Sequence, residues 1–164
     1  MPATYEPIAT QTLTVAAADI FFNSIPQTYT DLVLVMSGGC AANSGIGFRV
    51  NGSNSSIYSV TFLEGITSAT SFKYTSQNWL RIGYNASWSV GLGQNAILNF
   101  QNYSNTTTNK TILSRVNSIE MNCAGASIGM VGSTSAITSI NLMTSNGNTY
   151  NVGSTFTLYG IKAA

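Results

Sequence analysis

Histidine is absent from this chain of 164 residues. That excludes the Ser-His-Asp and Cys-His nucleophile systems and leaves no imidazole to hold zinc. Charge is also scarce: Asp, Glu, Lys and Arg make up 7% of residues, against roughly 25% in ordinary globular domains. The net charge is +1. The six basic residues, Arg49, Lys73, Arg81, Lys110, Arg115 and Lys162, are scattered. No basic patch can neutralise several phosphates, so nucleic acid is not an expected partner. No apolar run approaches the length of a membrane-crossing helix, so no membrane partner is expected either. The N-terminal MPATYE lacks a basic segment followed by an apolar run, so no secretory signal is expected. The two cysteines, Cys40 and Cys123, lie far apart in the chain. Two separate thiols in a protein made in a reducing cytoplasm are the expectation, with a long-range disulfide as the alternative.

Helix formers are few, and Ser, Thr and Asn together exceed a third of the chain. Thr favours strands; Ser and Asn favour turns. Two of the three prolines, Pro2 and Pro7, fall in residues 1–10. That stretch reads as an extended arm, with residues 11–164 as a single β-sandwich domain. Apolar spacing is mostly two rather than three to four. Strand candidates are 12–15, 20–22, 32–36, 46–51, 57–63, 79–84, 96–100, 111–122, 136–143 and 155–161. Leu32 to Met36 is apolar on both faces, which fits a strand covered on one side by a second sheet and on the other by a partner or a loop. Residues 66–77 are weakly patterned. The expected fold is all-β: a two-sheet β-sandwich with jelly-roll-like or Greek-key connections. Residues 25–31, IPQTYTD, interrupt two strand segments and read as a corner, since Pro26 lacks a donor and holds Ile25 extended.

Few residues offer chemistry. The acids Glu6, Asp19, Asp31, Glu64 and Glu120 are each isolated in sequence, so no carboxylate pair or calcium cluster is signalled. Gly91 to Ala96 spell a GxGxxA pattern, but a phosphate loop needs a helix after it, and here Ala96 opens a strand. Six Asn-X-Ser/Thr triplets begin at Asn51, Asn54, Asn85, Asn102, Asn105 and Asn109, as chance allows in such a composition. Tyr74, Trp79, Tyr84 and Trp88 are candidates for stacking on a sugar, or ordinary strand filling. No catalytic residue, metal ligand or cofactor is expected, and the chain reads as a non-enzyme.

The segments DIFFNSIPQTYTDLVL at 19–34 and GSTFTLYGIK at 153–162 resemble small virion proteins of tailed bacteriophages, cyanophages among them. Ile46 to Gly52 and Ala136 to Leu142 sit where such proteins carry further strands. The resemblance implies a jelly-roll-like sandwich with a structural role in the virion. The expected function is capsid cement, or decoration: binding to the assembled shell where major capsid subunits meet. The alternative is a tail or fibre component that binds a receptor or carbohydrate. The implied partner is the major capsid protein, the implied location the outer capsid surface, and a trimer suits local three-fold sites. Contacts are expected from the arm, at Pro2, Tyr5, Pro7 and Ile8.

Overall fold

The computed structural model describes residues 4–83 and 87–162. The fold is an all-β sandwich of two antiparallel sheets. The strands are β1 (Tyr5–Thr12), β2 (Asp19–Phe22), β3 (Asp31–Gly38), β4 (Ile46–Val50), β5 (Tyr58–Gly65), β6 (Ala69–Gln77), β7 (Leu80–Arg81), β8 (Gln94–Phe100), β9 (Lys110–Ser118), β10 (Cys123–Val131), β11 (Ile140–Thr144) and β12 (Thr155–Ile161). Among the described residues the helical content is one short 3-10 turn, Ser145–Gly147.

The large sheet has eight strands in the order β1-β12-β3-β8-β9-β10-β5-β6, and the small sheet four in the order β2-β11-β4-β7. The chain crosses repeatedly between sheets. β11 and β12 return to lie between N-terminal strands, as Greek-key connections do. Alternation along each strand sends one set of side chains into the core. Leu32, Leu34 and Met36 of β3 meet Phe48 and Val50 of β4, Leu98 and Phe100 of β8, and Phe156 and Leu158 of β12 in one buried cluster. Edge-to-face rings fill its middle: Phe48 on Phe100 at 5.2 Å, and Tyr150 on Phe156 at 5.0 Å.

The N-terminal segment departs from expectation. Tyr5 to Thr12 are not a free arm; they form the edge strand β1, paired with β12 from Tyr5 opposite Ile161 to Thr12 opposite Thr155. The arm's expected end at residue 10 therefore falls inside a strand. The backbone donors and acceptors of β12 need a partner on that side, and β1 supplies it. Pro7 is accommodated by an irregularity in the register between Pro7 and Ala9, at a sheet edge, where proline is tolerated. The candidate at 12–15 is correspondingly displaced.

The corner at 25–31 is built by hydrogen bonds. Ile25 N–H donates to the Thr138 carbonyl at 3.0 Å, and Thr30 N–H to the Ile161 carbonyl at 2.8 Å. Gln27 Nε2 donates to the carbonyls of Ile25 and Ile137 at 2.8 and 3.0 Å. The Tyr103 hydroxyl donates to the Pro26 carbonyl. These polar side chains are committed to the turn.

Candidate functional site

The inner faces of both sheets are occupied by core, so the outer face of the large sheet is the broadest regular surface. The strand registers lay out its rows. One runs Tyr159, Val33, Asn99, Leu113, Ile128, Thr61, Lys73 from β12 to β6. The next runs Thr157, Val35, Ile97, Arg115, Ala126, Leu63, Ser71. Apolar side chains stand together across β3, β8, β9, β10 and β5. Leu113, Ile128, Met130 and Leu63 are 43%, 57%, 45% and 62% exposed, more than scattered surface residues need, and adjacent enough to form a patch.

β10 explains half of this patch. Its inward positions are Cys123, Gly125, Ser127, Gly129 and Val131, while Ile128 and Met130 point out. A side chain at either inward glycine would collide with a side chain already packed there. A Cβ on Gly129 would lie 2.4 Å from Leu80 Cδ1, and one on Gly125 2.7 Å from Glu64 Cγ. Between the two glycines, Ser127 Oγ donates to the Ile82 carbonyl at 3.0 Å and meets Ser114 Oγ of β9. The large aliphatic residues of β10 are thus left on the solvent side.

Two of the four expected contact residues reach the same face. Tyr5, opposite Ile161, and Pro7, opposite Tyr159, lie at its β1 edge, and the Tyr5 and Tyr159 rings pack edge to face at 6.4 Å. Ile8 is half-buried against the core, so it is not available to a partner as an arm residue would be. Pro2 lies outside the described residues.

Two of the aromatic candidates, Trp79 and Tyr74, flank Arg81, whose Cζ lies 5.6 and 5.8 Å from their ring centres; Trp88 stands apart. Trp88 is buried and packs edge-to-face on Tyr150 at 6.2 Å. Trp79 is half-buried, its ring lying where a Cβ on Gly47 would be 2.5 Å away, with Arg81 Cζ 5.6 Å from its centre. Tyr74 packs on Phe62 at 6.1 Å, and Tyr84 lies outside the described residues. The carboxylates are dispersed among β1, β2, β3, β5 and the turn after β9. Lys162 Nζ stands 2.8 Å from Glu6 Oε1, and together with the Tyr29 hydroxyl at 3.2 Å it holds the Glu6 carboxyl below its usual range. Among the described residues no group of three His, Cys, Asp or Glu is placed to hold a metal ion. Cys40 and Cys123 are separate buried thiols, and burial pushes Cys40 up to about 12. In the GxGxxA segment, Gln94 onward is β8, not a helix.

No family model matches the chain, and no curated protein matches it. Among solved structures it is similar to a protein of unknown function from Shewanella oneidensis MR-1, at 7% identity over 98% of this chain and 77% of that one, with a TM-score of 0.23. An alginate lyase in complex with an alginate tetrasaccharide is similar at 9% identity over 98% and 75%, with a TM-score of 0.30. Scores this low carry no functional argument, and neither description mentions a virion.

Proposed function

We propose that the protein is a non-catalytic binding module of a tailed-phage virion, a cement protein that attaches to the assembled shell through the outer face of its large sheet. The observation that carries this reading is the uncovered apolar stripe of Leu63, Leu113, Ile128 and Met130. On β3 the outward Val33 is already buried and Val35 half-buried, so the exposed part of the face lies on β5, β9 and β10. The resemblance to virion proteins supports the setting, and its two most specific segments pack together in the fold, as β3 and the preceding corner against β12.

Attachment to the assembled shell but not to free subunits stabilises the shell by mass action. A trimer at a local three-fold site would be self-limiting. With so few charges, attachment depends little on ionic strength. The β1 edge, with Tyr5 and Pro7, borders the docking face and takes the place of an arm.

The test is co-sedimentation with assembled shells and with free capsid subunits of the phage that carries the chain. Wild type is expected to pellet with shells only. The L113N/I128N double variant, altered at two exposed positions, is expected to remain in the supernatant while keeping its Tm. Equal pelleting of wild type and variant would remove this face from the mechanism.

A further inference from the structure

Arg115 stands in the middle of the outer face. Ile97 on β8 and Ala126 on β10 are its cross-strand neighbours, with Leu63 beyond Ala126. Open depressions of about 470 and about 370 Å3 lie on either side, and Arg115 lines both. Asn95 and Asn117 edge the first; Asn99 and Gln101 edge the second. Among the described residues the acid lining either depression is Asp31, whose Oδ1 accepts the Asn102 N–H at 2.6 Å. Among the described residues the ion pair present is Glu6 with Lys162, so Arg115 has no carboxylate partner.

Covering the stripe would take Arg115 out of water together with its aliphatic neighbours. A guanidinium desolvated without an anion is strongly unfavourable, whereas a carboxylate satisfies its planar fork with two parallel hydrogen bonds. Charge complementarity therefore selects the occupant. We infer that the covering surface is a polypeptide that presents an Asp or Glu side chain to Arg115, framed by aliphatic side chains over Leu63, Leu113 and Ile128. This rests on the docking reading above and adds the chemistry of the partner.

Two other sources of a carboxylate fit less well. A uronate sugar would lack a ring to stack on, because among the described residues no aromatic side chain lines either depression. A second copy of this chain, packed face to face about a two-fold axis through this point, would set Arg115 against Arg115.

The experiment compares attachment of wild type, Arg115→Gln, Arg115→Lys and Leu113→Asn to assembled shells. Arg115→Gln is expected to weaken attachment about 30-fold or more. Arg115→Lys is expected to recover part of the loss, and the Tm should not change because the side chain is exposed. If Leu113→Asn weakens attachment and Arg115→Gln does not, the docking face stands and the carboxylate inference falls. If neither weakens it, both fall. Two probes identify the source in solution: a Leu-Glu-Leu peptide and tetragalacturonate, each titrated while the Arg115 side-chain resonance is followed. A shift with the sugar but not the peptide overturns the inference, as does self-association that Arg115→Gln abolishes.

Discussion

The ring of Tyr29 occupies the place where a side chain at Gly160 would stand: a Cβ there would lie 2.3 Å from Tyr29 Cγ. Gly160 pairs with Leu32 on one side and Glu6 on the other. The Tyr29 hydroxyl reaches Glu6, and the Lys162 ammonium sits 5.6 Å from the ring centre. One tyrosine thus closes the corner before β3 onto the last strand, with β1 beside it. Tyr29 and Gly160 belong to the two segments that resemble virion proteins, IPQTYTDL and FTLYGIK, and their contact explains why a glycine sits inside an otherwise regular strand.

Replacing Gly160 with alanine should cost about 1–3 kcal/mol, the usual penalty for forcing extra volume into a packed site. In a Tyr29→Ala background the same change should cost much less, because the clashing ring is gone. Urea unfolding of the four proteins in this cycle measures the coupling. Additive effects would mean that Tyr29 and Gly160 do not touch.

Removing β1 should destabilise the sandwich and not merely detach it from a partner. Deletion of residues 1–12 strips β12 of its outer partner and leaves a row of unpaired backbone groups next to the Tyr159 and Ile161 side chains. The expected result is a lower Tm and concentration-dependent aggregation by light scattering. A truncated chain that stays monomeric with an unchanged Tm would restore residues 1–10 to the status of an arm.

Stability should fall at alkaline pH through the buried thiol. Burial raises Cys40 from 9.0 to about 12, so the unfolded chain loses this proton first. Its contribution to stability is complete below about pH 9 and is lost as pH rises from there toward 12. Burial also pushes the neighbouring Tyr150 well above 10, which acts in the same direction. Cys40→Ala should start less stable at pH 7.5 because of the lost volume, then decline less steeply between pH 8 and 10.5 in urea titrations. Parallel declines would place the alkaline loss elsewhere.

Legibility in the sequence followed the inward side chains. Alternation exposed β2, β3, β4, β5, β8 and β12, where Ile, Leu, Phe and Val point into the core and turn residues close each end. β6 was hidden because only Phe72 and Tyr74 mark its inner face among polar residues. The run 111–122 looked like one strand because Ile119 continues the apolar count, yet the chain reverses there through Asn122, which holds a φ of 46°. The exposed apolar outer face is the least visible part. No sequence pattern announces that an outward residue of one strand stands beside the outward residues of four others. Pro2, Tyr5, Pro7 and Ile8 stand out in the sequence only by their place near its start, and the sheet registers show a wider surface.

β10 supplies the sharpest test, because its pattern is inverted. Ile128 is a large aliphatic residue and Gly129 has no side chain, so a rule based on hydrophobicity alone would expect position 128 to be the sensitive one. The structure gives the opposite order. Ile128 faces solvent, and Ile128→Asn should change stability by no more than about 0.5 kcal/mol. Gly129 faces Leu80, whose Cδ1 and Cδ2 would lie 2.4 and 2.8 Å from an added Cβ. Gly129→Ala should therefore cost about 1–3 kcal/mol, and Leu80→Ala in the same chain should relieve part of that overpacking while adding its own cavity cost. Urea midpoints for the three variants decide the matter. A larger loss at 128 than at 129 would reverse the facing of the whole strand and, with it, remove Ile128 and Met130 from the outer surface.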